Sequence, residues 1–212
     1  ITKYAKCVMK SEDIKYELEK AIYLAKEGRP GPVFLDIPLD IQKEEIDPAT
    51  LTGYTNFYYQ RDTASIRDFI ETKLINDLAS CKKPYILIGG GARSINNEYL
   101  HILLNKIKIP TSPTWNAIDI ITDDFPYYVG RIGTYGGAGR NKAIQECDLL
   151  LAIGTRISGR ITGGDPPSFA KNAKKYLINT DTSTLDPKYQ EVRFDYNILC
   201  DSHAFLNFLH AA

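Results

Sequence analysis

Tyr85-Ile86-Leu87-Ile88-Gly89-Gly90-Gly91-Ala92-Arg93-Ser94 decides the fold: a strand-length apolar run passes directly into three glycines and from there towards a stretch with helical spacing. Removing Cβ at the end of a strand lets a backbone or a ligand approach closely, and the turn into a helix is where the first α/β crossover begins. The spacing Gly-x-Gly-x-x-Ser is not the full dinucleotide fingerprint, and a tight turn alone also accounts for it.

Working outward, strands and helices alternate. A helix is expected over 66–80, the strand over 84–88, a helix over 96–106 and a strand over 109–111. A second set follows a loop through Trp115 to Ile132: a helix over 139–146, strands over 149–153 and 176–179, a late strand near Ile198 and a closing helix over 203–209. Alternating β and α units with strand-sized apolar runs predict an α/β fold, a doubly wound parallel sheet in a Rossmann-like central domain of the DHS-like NAD/FAD-binding type. Ligands are then expected at the carboxyl ends of the strands.

Upstream, Ser11 reads as the N-cap of a helix reaching Gly28, with Glu12 and Asp13 in its first turn and Ile14, Leu18, Ala21, Ile22 and Ala25 at helical spacing. Val33 to Pro38 reads as a short strand suited to burial in a parallel sheet. From Asp40 to about Asp62, turn formers and the aromatic Tyr54 to Tyr59 stretch carry no sustained period and read as a surface linker. The expected organisation is a helix-strand remnant of another α/β domain over 1–42, a linker over 43–62 and the Rossmann-like domain over 63–212.

Twenty-six basic against 26 acidic residues give zero formal charge, which leaves no broad electrostatic footprint for nucleic acid or an anionic membrane. The apolar runs are far short of the ~20 residues of a membrane span, and no secretory signal opens the chain. Cys7, Cys81, Cys147 and Cys200 are widely spaced, which argues against a zinc site and fits reduced, structural thiols in a cytoplasmic protein.

Three further stretches suggest binding. Gly130-Arg131-Ile132-Gly133-Thr134-Tyr135-Gly136-Gly137-Ala138-Gly139 is glycine-dense and enters a helix; close backbone packing is its plain alternative. Gly154-Thr155-Arg156-Ile157-Ser158-Gly159-Arg160 ends the 149–153 strand, where two arginines can grip a phosphate or a flavin pyrophosphate. Asp181 ends another strand, placed either to accept from a ribose hydroxyl or to cap a helix. Reaction chemistry is harder to find. His101, His203 and His210 have no serine or cysteine nucleophile in a recognisable elbow beside them, there is no phosphate-binding Gly-x-x-x-x-Gly-Lys-Ser/Thr, and Asp123-Asp124 reads as a loop. No catalytic and no metal-ligating residue is assigned.

Ile1-Thr2-Lys3-Tyr4, the stretch from Gly28-Arg29-Pro30-Gly31-Pro32-Val33 through Asp36-Ile37-Pro38 to Gln42, and Cys147-Asp148-Leu149 through Gly154-Thr155-Arg156 resemble thiamine-diphosphate enzymes of the acetolactate synthase type. The resemblance covers nearly the whole chain. It implies that residues 1–42 are the tail of a pyrimidine-binding domain and that the remainder is the family's central domain. It also implies a parent enzyme, a transferase or lyase, using thiamine diphosphate and Mg²⁺ to make or break a bond beside the carbonyl of a 2-oxo acid. The family's cofactor-activating glutamate and its Gly-Asp-Gly magnesium motif belong to segments this chain lacks, so the chain by itself is expected to be inactive. Its implied partners are the pyrimidine- and pyrophosphate-binding domains of the parent and further copies in a homo-oligomer.

In acetolactate synthases the central domain holds FAD. The matching positions here are Gly89, Gly90, Gly91, Gly133, Gly136, Gly154, Thr155, Arg156, Asp181 and Asp201. The chain departs from the pattern in having Ser158-Gly159 in place of an Asp-Asp pair and Asn179-Thr180-Asp181 in place of Asp-Ile-Asp. Two competing expectations remain: a stand-alone regulatory module binding FAD, NAD or ADP, and an NAD-dependent deacylase, which would want a cleft histidine and a four-cysteine zinc site.

Overall fold

A computed structural model describes residues 1–55 and 63–212; part of the Tyr54–Tyr59 stretch and the end of the expected linker lie outside the described residues. The chain divides into two compact units, Ile1–Arg61 and Asp62–Ala212.

The first unit is a strand-helix-strand motif, where the sequence suggested only helix and strand. β1 (Tyr4–Cys7) pairs parallel with β2 (Val33–Asp36), Tyr4 opposite Val33, across α1 (Ile14–Lys26). β1 escaped the sequence reading because Lys6 interrupts its four residues, leaving no apolar run to detect. Ser11 is not the N-cap of α1: it sits buried in a 3-10 turn, Ser11–Asp13, and Asp13 holds the cap position without a side-chain cap bond. Nor is β2 covered on both faces, since Phe34 is 58% exposed. After β2 comes a single turn, α2 (Leu39–Gln42). Part of the expected surface linker is fastened down: the Tyr54 backbone N–H donates to Glu19 (2.7 Å), and its ring meets Tyr16 edge-on at 5.4 Å.

The second unit is built on five parallel strands: β3 (Pro84–Ile88), β4 (Thr111–Pro113), β5 (Leu149–Ile153), β6 (Lys174–Asn179) and β7 (Tyr196–Leu199), in spatial order β4-β3-β5-β6-β7. β4 lies two residues later than the expected 109–111; Pro110 has no N–H, and pairing begins at Thr111, opposite Ile86. Alternate side chains of β3, β5 and β6 feed two apolar layers. Ile86, Ile88, Leu151, Ile153 and Tyr176 pack towards α5 (Asn97–Ile107) and α9 (Ser202–Ala211); Tyr85, Leu87, Leu150, Ala152 and Leu177 pack towards α6 (Ala138–Gln145). Helices on both faces make the sheet doubly wound, as expected.

The first helix of this unit differs from a plain 66–80 helix. α3 (Thr63–Phe69) passes through a π turn, Ile70–Leu74, into α4 (Ile75–Ser80). The turn places Ile70 and Leu74 in the core, both fully buried. α4 brings Asp77 to the sheet, where it accepts from Lys73 (2.8 Å), Lys174 (2.9 Å) and the Tyr176 hydroxyl. Burial would raise the Asp77 carboxyl, but those hydrogen bonds outweigh it and bring the pKa down to about 2. Two single-turn helices, α7 (Gly159–Thr162) and α8 (Thr182–Leu185), were not legible in the sequence.

Candidate nucleotide cleft at the carboxyl edge

The direction in which successive strands are added to the sheet reverses between β3 and β5. β3 leads to β4 on one side, the chain then crosses back past β3 to β5, and from there the sheet grows the other way to β7. Such a reversal is the place where an open α/β sheet is expected to offer a crevice to ligands, yet here the loops leaving the two strands lie against one another.

Both loops are glycine-rich, and the reason is mutual. Gly89 N–H donates to Ile153 O and Gly91 N–H to Gly154 O, each at 2.8 Å. A Cβ on Gly89 would meet the Gly154 carbonyl oxygen and lie 2.5 Å from Thr155 Cβ; one on Gly91 would lie 2.8 Å from Gly154 Cα. Gly154 takes φ +61°, and a Cβ there would lie 2.8 Å from both Ala92 N and Ser202 Oγ. Close approach of two backbones therefore explains these positions, whatever they also contact. Gly90 is packed less tightly, its added Cβ lying 3.2 Å from Asn116 O.

The glycine-dense loop before α6 closes on the loop after β5. Gly133, at φ +103°, would place a Cβ 2.5 Å from Arg160 O, and Thr134 N–H donates to that same oxygen (2.9 Å). Asn141 braces the loop by accepting from Gly133 N–H (2.8 Å) and donating to Gly133 O (3.0 Å). Gly136 completes the turn through a 2.8 Å bond from its N–H to Gly133 O. Gly139, Gly163 and Gly164 differ in facing open space.

The candidate acids already have local work. Asp181 caps α8 by accepting from Ser183 N–H (3.0 Å) and Ser183 Oγ (2.6 Å). Asp201 caps α9 by accepting from His203 N–H (2.9 Å). Asn179 donates to Thr155 O (3.2 Å) and accepts from Asp181 N–H (3.0 Å). It ties the β5 and β6 loops together.

What the edge offers a ligand is positive charge. Thr155 is buried, but Arg156 and, one turn on, Arg160 are exposed, as are Arg131 and Arg140 in the facing loop. Among the described residues none of these four guanidinium groups makes an ion pair, whereas Arg93 is bidentate to Asp119 and holds that carboxyl below its ordinary range. Four unpaired arginines around glycine-rich turns suit phosphate oxygens, which guanidinium binds in a planar, two-point fashion. Among the described residues no group of three or more His, Cys, Asp and Glu could hold a metal ion, and no helix is long and apolar enough to cross a membrane.

The sequence reading gave no role to Trp115 and Tyr135, whose ring centroids lie 5.6 Å apart. No pattern of spacing joins two residues twenty positions apart in irregular chain.

Comparison with known proteins gives a consistent picture. The family model for the thiamine pyrophosphate enzyme central domain matches residues 72–209. The chain is 35% identical over 222 aligned positions to a probable acetolactate synthase large subunit of Methanocaldococcus jannaschii, covering 100% of this chain and 36% of that protein. It is 33% identical to the acetolactate synthase isozyme 2 large subunit of Escherichia coli K12, covering 87% and 33% respectively. With chloroplastic acetolactate synthase 2 of Nicotiana tabacum the identity is 31%, covering 90% and 28%. The chain thus spans about a third of the length of the curated relatives it matches.

Proposed function

The chain belongs to the thiamine pyrophosphate enzyme central-domain family, and from that premise we propose that it serves as the middle of an acetolactate-synthase-like carboligase or decarboxylase acting on 2-oxo acids. The family match over residues 72–209 carries the reading. Identity of 31–35% to acetolactate synthase large subunits supports the choice among activities. On this reading thiamine diphosphate and Mg²⁺ work from the pyrimidine- and pyrophosphate-binding domains of the parent protein, which assembles as a cytoplasmic homo-oligomer.

The chain's own contribution is a nucleotide cleft. Arg131, Arg156 and Arg160 hold the phosphates of FAD or a related nucleotide, and the Gly89–Gly91 and Gly154–Thr155 turns, packed on one another, fix the loop that carries Arg156. Its role is binding and bracing.

The test is to express the whole gene product and, separately, the 212-residue chain, and to follow consumption of a panel of 2-oxo acids with thiamine diphosphate and Mg²⁺. The expected result is turnover by the whole protein that needs both additives, with none by the chain alone. Absence of turnover with every 2-oxo acid, in a folded protein that binds thiamine diphosphate, refutes the proposed activity.

A further inference from the structure

A buried polar atom on α5 has no partner. Among the described residues His101 Nε2 is buried and makes no hydrogen bond. The His101 side chain is half-buried, and its ring centroid lies 5.8 Å from that of Phe125, tilted by 42°. Phe125 is itself buried and closes a corner at 122–125, where its N–H donates to Thr122 O (3.2 Å). Within that corner Asp124 is exposed, and its carboxylate accepts from the Thr122 hydroxyl. That hydrogen bond does most to hold the Asp124 carboxyl below its ordinary range, and the charge of His101 acts in the same direction.

A neutral imidazole carries a proton on only one nitrogen, so the partnerless Nε2 can be the bare one. The protonated ring carries N–H at both, which leaves a buried donor unmet. Protonation therefore gives His101 a need for an acceptor. The charged and titratable groups around it are Glu98 and Lys106 on α5, Asp119, Asp123 and Asp124 on the loop after β4, and His203 and His210 on α9, the helix packed against α5. Asp119 is already bidentate to Arg93, His203 lies against the Tyr99 ring at 5.5 Å, and His210 Nε2 is 3.1 Å from Lys106 Nζ. Asp124 is the one whose carboxyl the His101 charge lowers, and Phe125 beside it offers a ring to the cation.

We propose that the corner at 122–125 is a proton-operated latch: a proton on His101 draws the Asp124 carboxylate to the imidazolium and clamps the corner onto α5. A carboxylate has two oxygens, so Asp124 can take the imidazolium without giving up the Thr122 hydroxyl. The corner leads into Tyr128, whose N–H donates to Phe125 O (2.9 Å) and which bridges Thr111. Clamping it therefore fixes the outer side of β4, the edge strand of the sheet. Imidazoles take up their proton in the range of about pH 8 to 5, so the latch closes as conditions turn acidic. It uses neither the arginines nor the glycine-rich loops of the cleft, and it stands whether or not a nucleotide binds there.

The chain has three histidines, His101, His203 and His210, so each ring can be followed by NMR as pH is varied, with His101→Gln identifying its signal. The Phe125 backbone N–H is followed in the same titration. Asp124→Asn, a change of similar shape at an exposed position, should lower the His101 midpoint by about half a pH unit or more, while His203 and His210 keep theirs. In the unaltered chain the Phe125 N–H should shift with the His101 midpoint, and Asp124→Asn should abolish most of that shift. Asp123→Asn removes the neighbouring exposed charge and should move the His101 midpoint less. Equal His101 midpoints in the unaltered chain and a folded Asp124→Asn variant overturn the latch and leave His101 as a packing side chain. Equal effects of the two Asn variants overturn it too, since they point to a general field rather than a contact. A Phe125 N–H in the unaltered chain that ignores the His101 titration does the same, and that measurement needs no variant to fold.

Discussion

Replacing Asp77 by Asn tests whether the buried carboxylate between α4 and β6 is a stabilising tie. Asp77 is 9% exposed and takes hydrogen bonds from two lysines and the Tyr176 hydroxyl. Lowering its pKa from 3.8 to about 2 corresponds to roughly 2.4 kcal/mol if unscreened, at about 1.36 kcal/mol per unit. The Lys73 and Lys174 side chains are 38% and 43% exposed, so water screens the attraction, and about 1 kcal/mol is the figure to expect. Because the folded-state pKa is depressed, this stability is present in full above the unfolded value near 4 and is lost as pH falls through about 2. Urea unfolding followed by Trp115 fluorescence reads the unit containing Asp77, since Trp115 lies in that same unit. Asp77→Asn should lower stability at pH 7 by about 1 kcal/mol, and the gap between variant and parent should narrow steadily from pH 5 to pH 2. A gap as wide at pH 2 as at pH 7 would falsify the electrostatic account and leave shape as the cause.

Gly89→Ala should cost several kcal/mol, since its Cβ meets Gly154 and Thr155 backbone atoms rather than a side chain that can swing away; a thermal melt unchanged within a degree would count against the close-approach reading. Gly139→Ala is the matched control, because its Cβ meets nothing within 4 Å and the position lies in α6. Asp201→Ala removes the cap of α9 and should cost about 1 kcal/mol by urea titration, with Asp201→Asn retaining most of the stability. Burial, aided by the neighbouring Asp148, pushes the Cys147 thiol up to about 12, so it should resist a thiol reagent at pH 8 in the native chain and react once urea unfolds it.

The sheet was legible because parallel strands buried on both faces leave an unmistakable trace. Leu149 to Ile153 is apolar at every position and buried at every position, and such runs separated by helical periods permit few other architectures. Where that trace is diluted, the reading slipped. β1 carries two exposed residues among its four and depends on β2 for its existence, so it is a product of pairing rather than of local pattern. The Ile70–Leu74 π turn is likewise set by the demand that both residues reach the core, and nothing in the composition of the helix announces it.

The site shows a different limit. Glycines at 89–91, 133, 136 and 154 were visible as a group, yet in sequence a glycine admitting a phosphate and a glycine admitting another backbone look alike. The structure gives reasons of its own: Gly89, Gly91 and Gly154 are required by one another, Gly133 by Arg160 O, and Gly163 and Gly164 by φ of +70° and +88°, while Gly139 is bounded by nothing. Asp181 reads as a ligand acceptor or a cap, and Asp201 only as a position that the resemblance matches to the flavin site; both carboxylates are found accepting from backbone N–H groups two residues on. The side chains that the packing leaves exposed are a different set. Among the described residues Arg131, Arg156 and Arg160 make no ion pair, and Trp115 and Tyr135 are half-exposed and exposed. The glycines are accounted for by the packing of two loops on one another, so a test of ligand binding belongs with the exposed arginines of those loops rather than with the glycines.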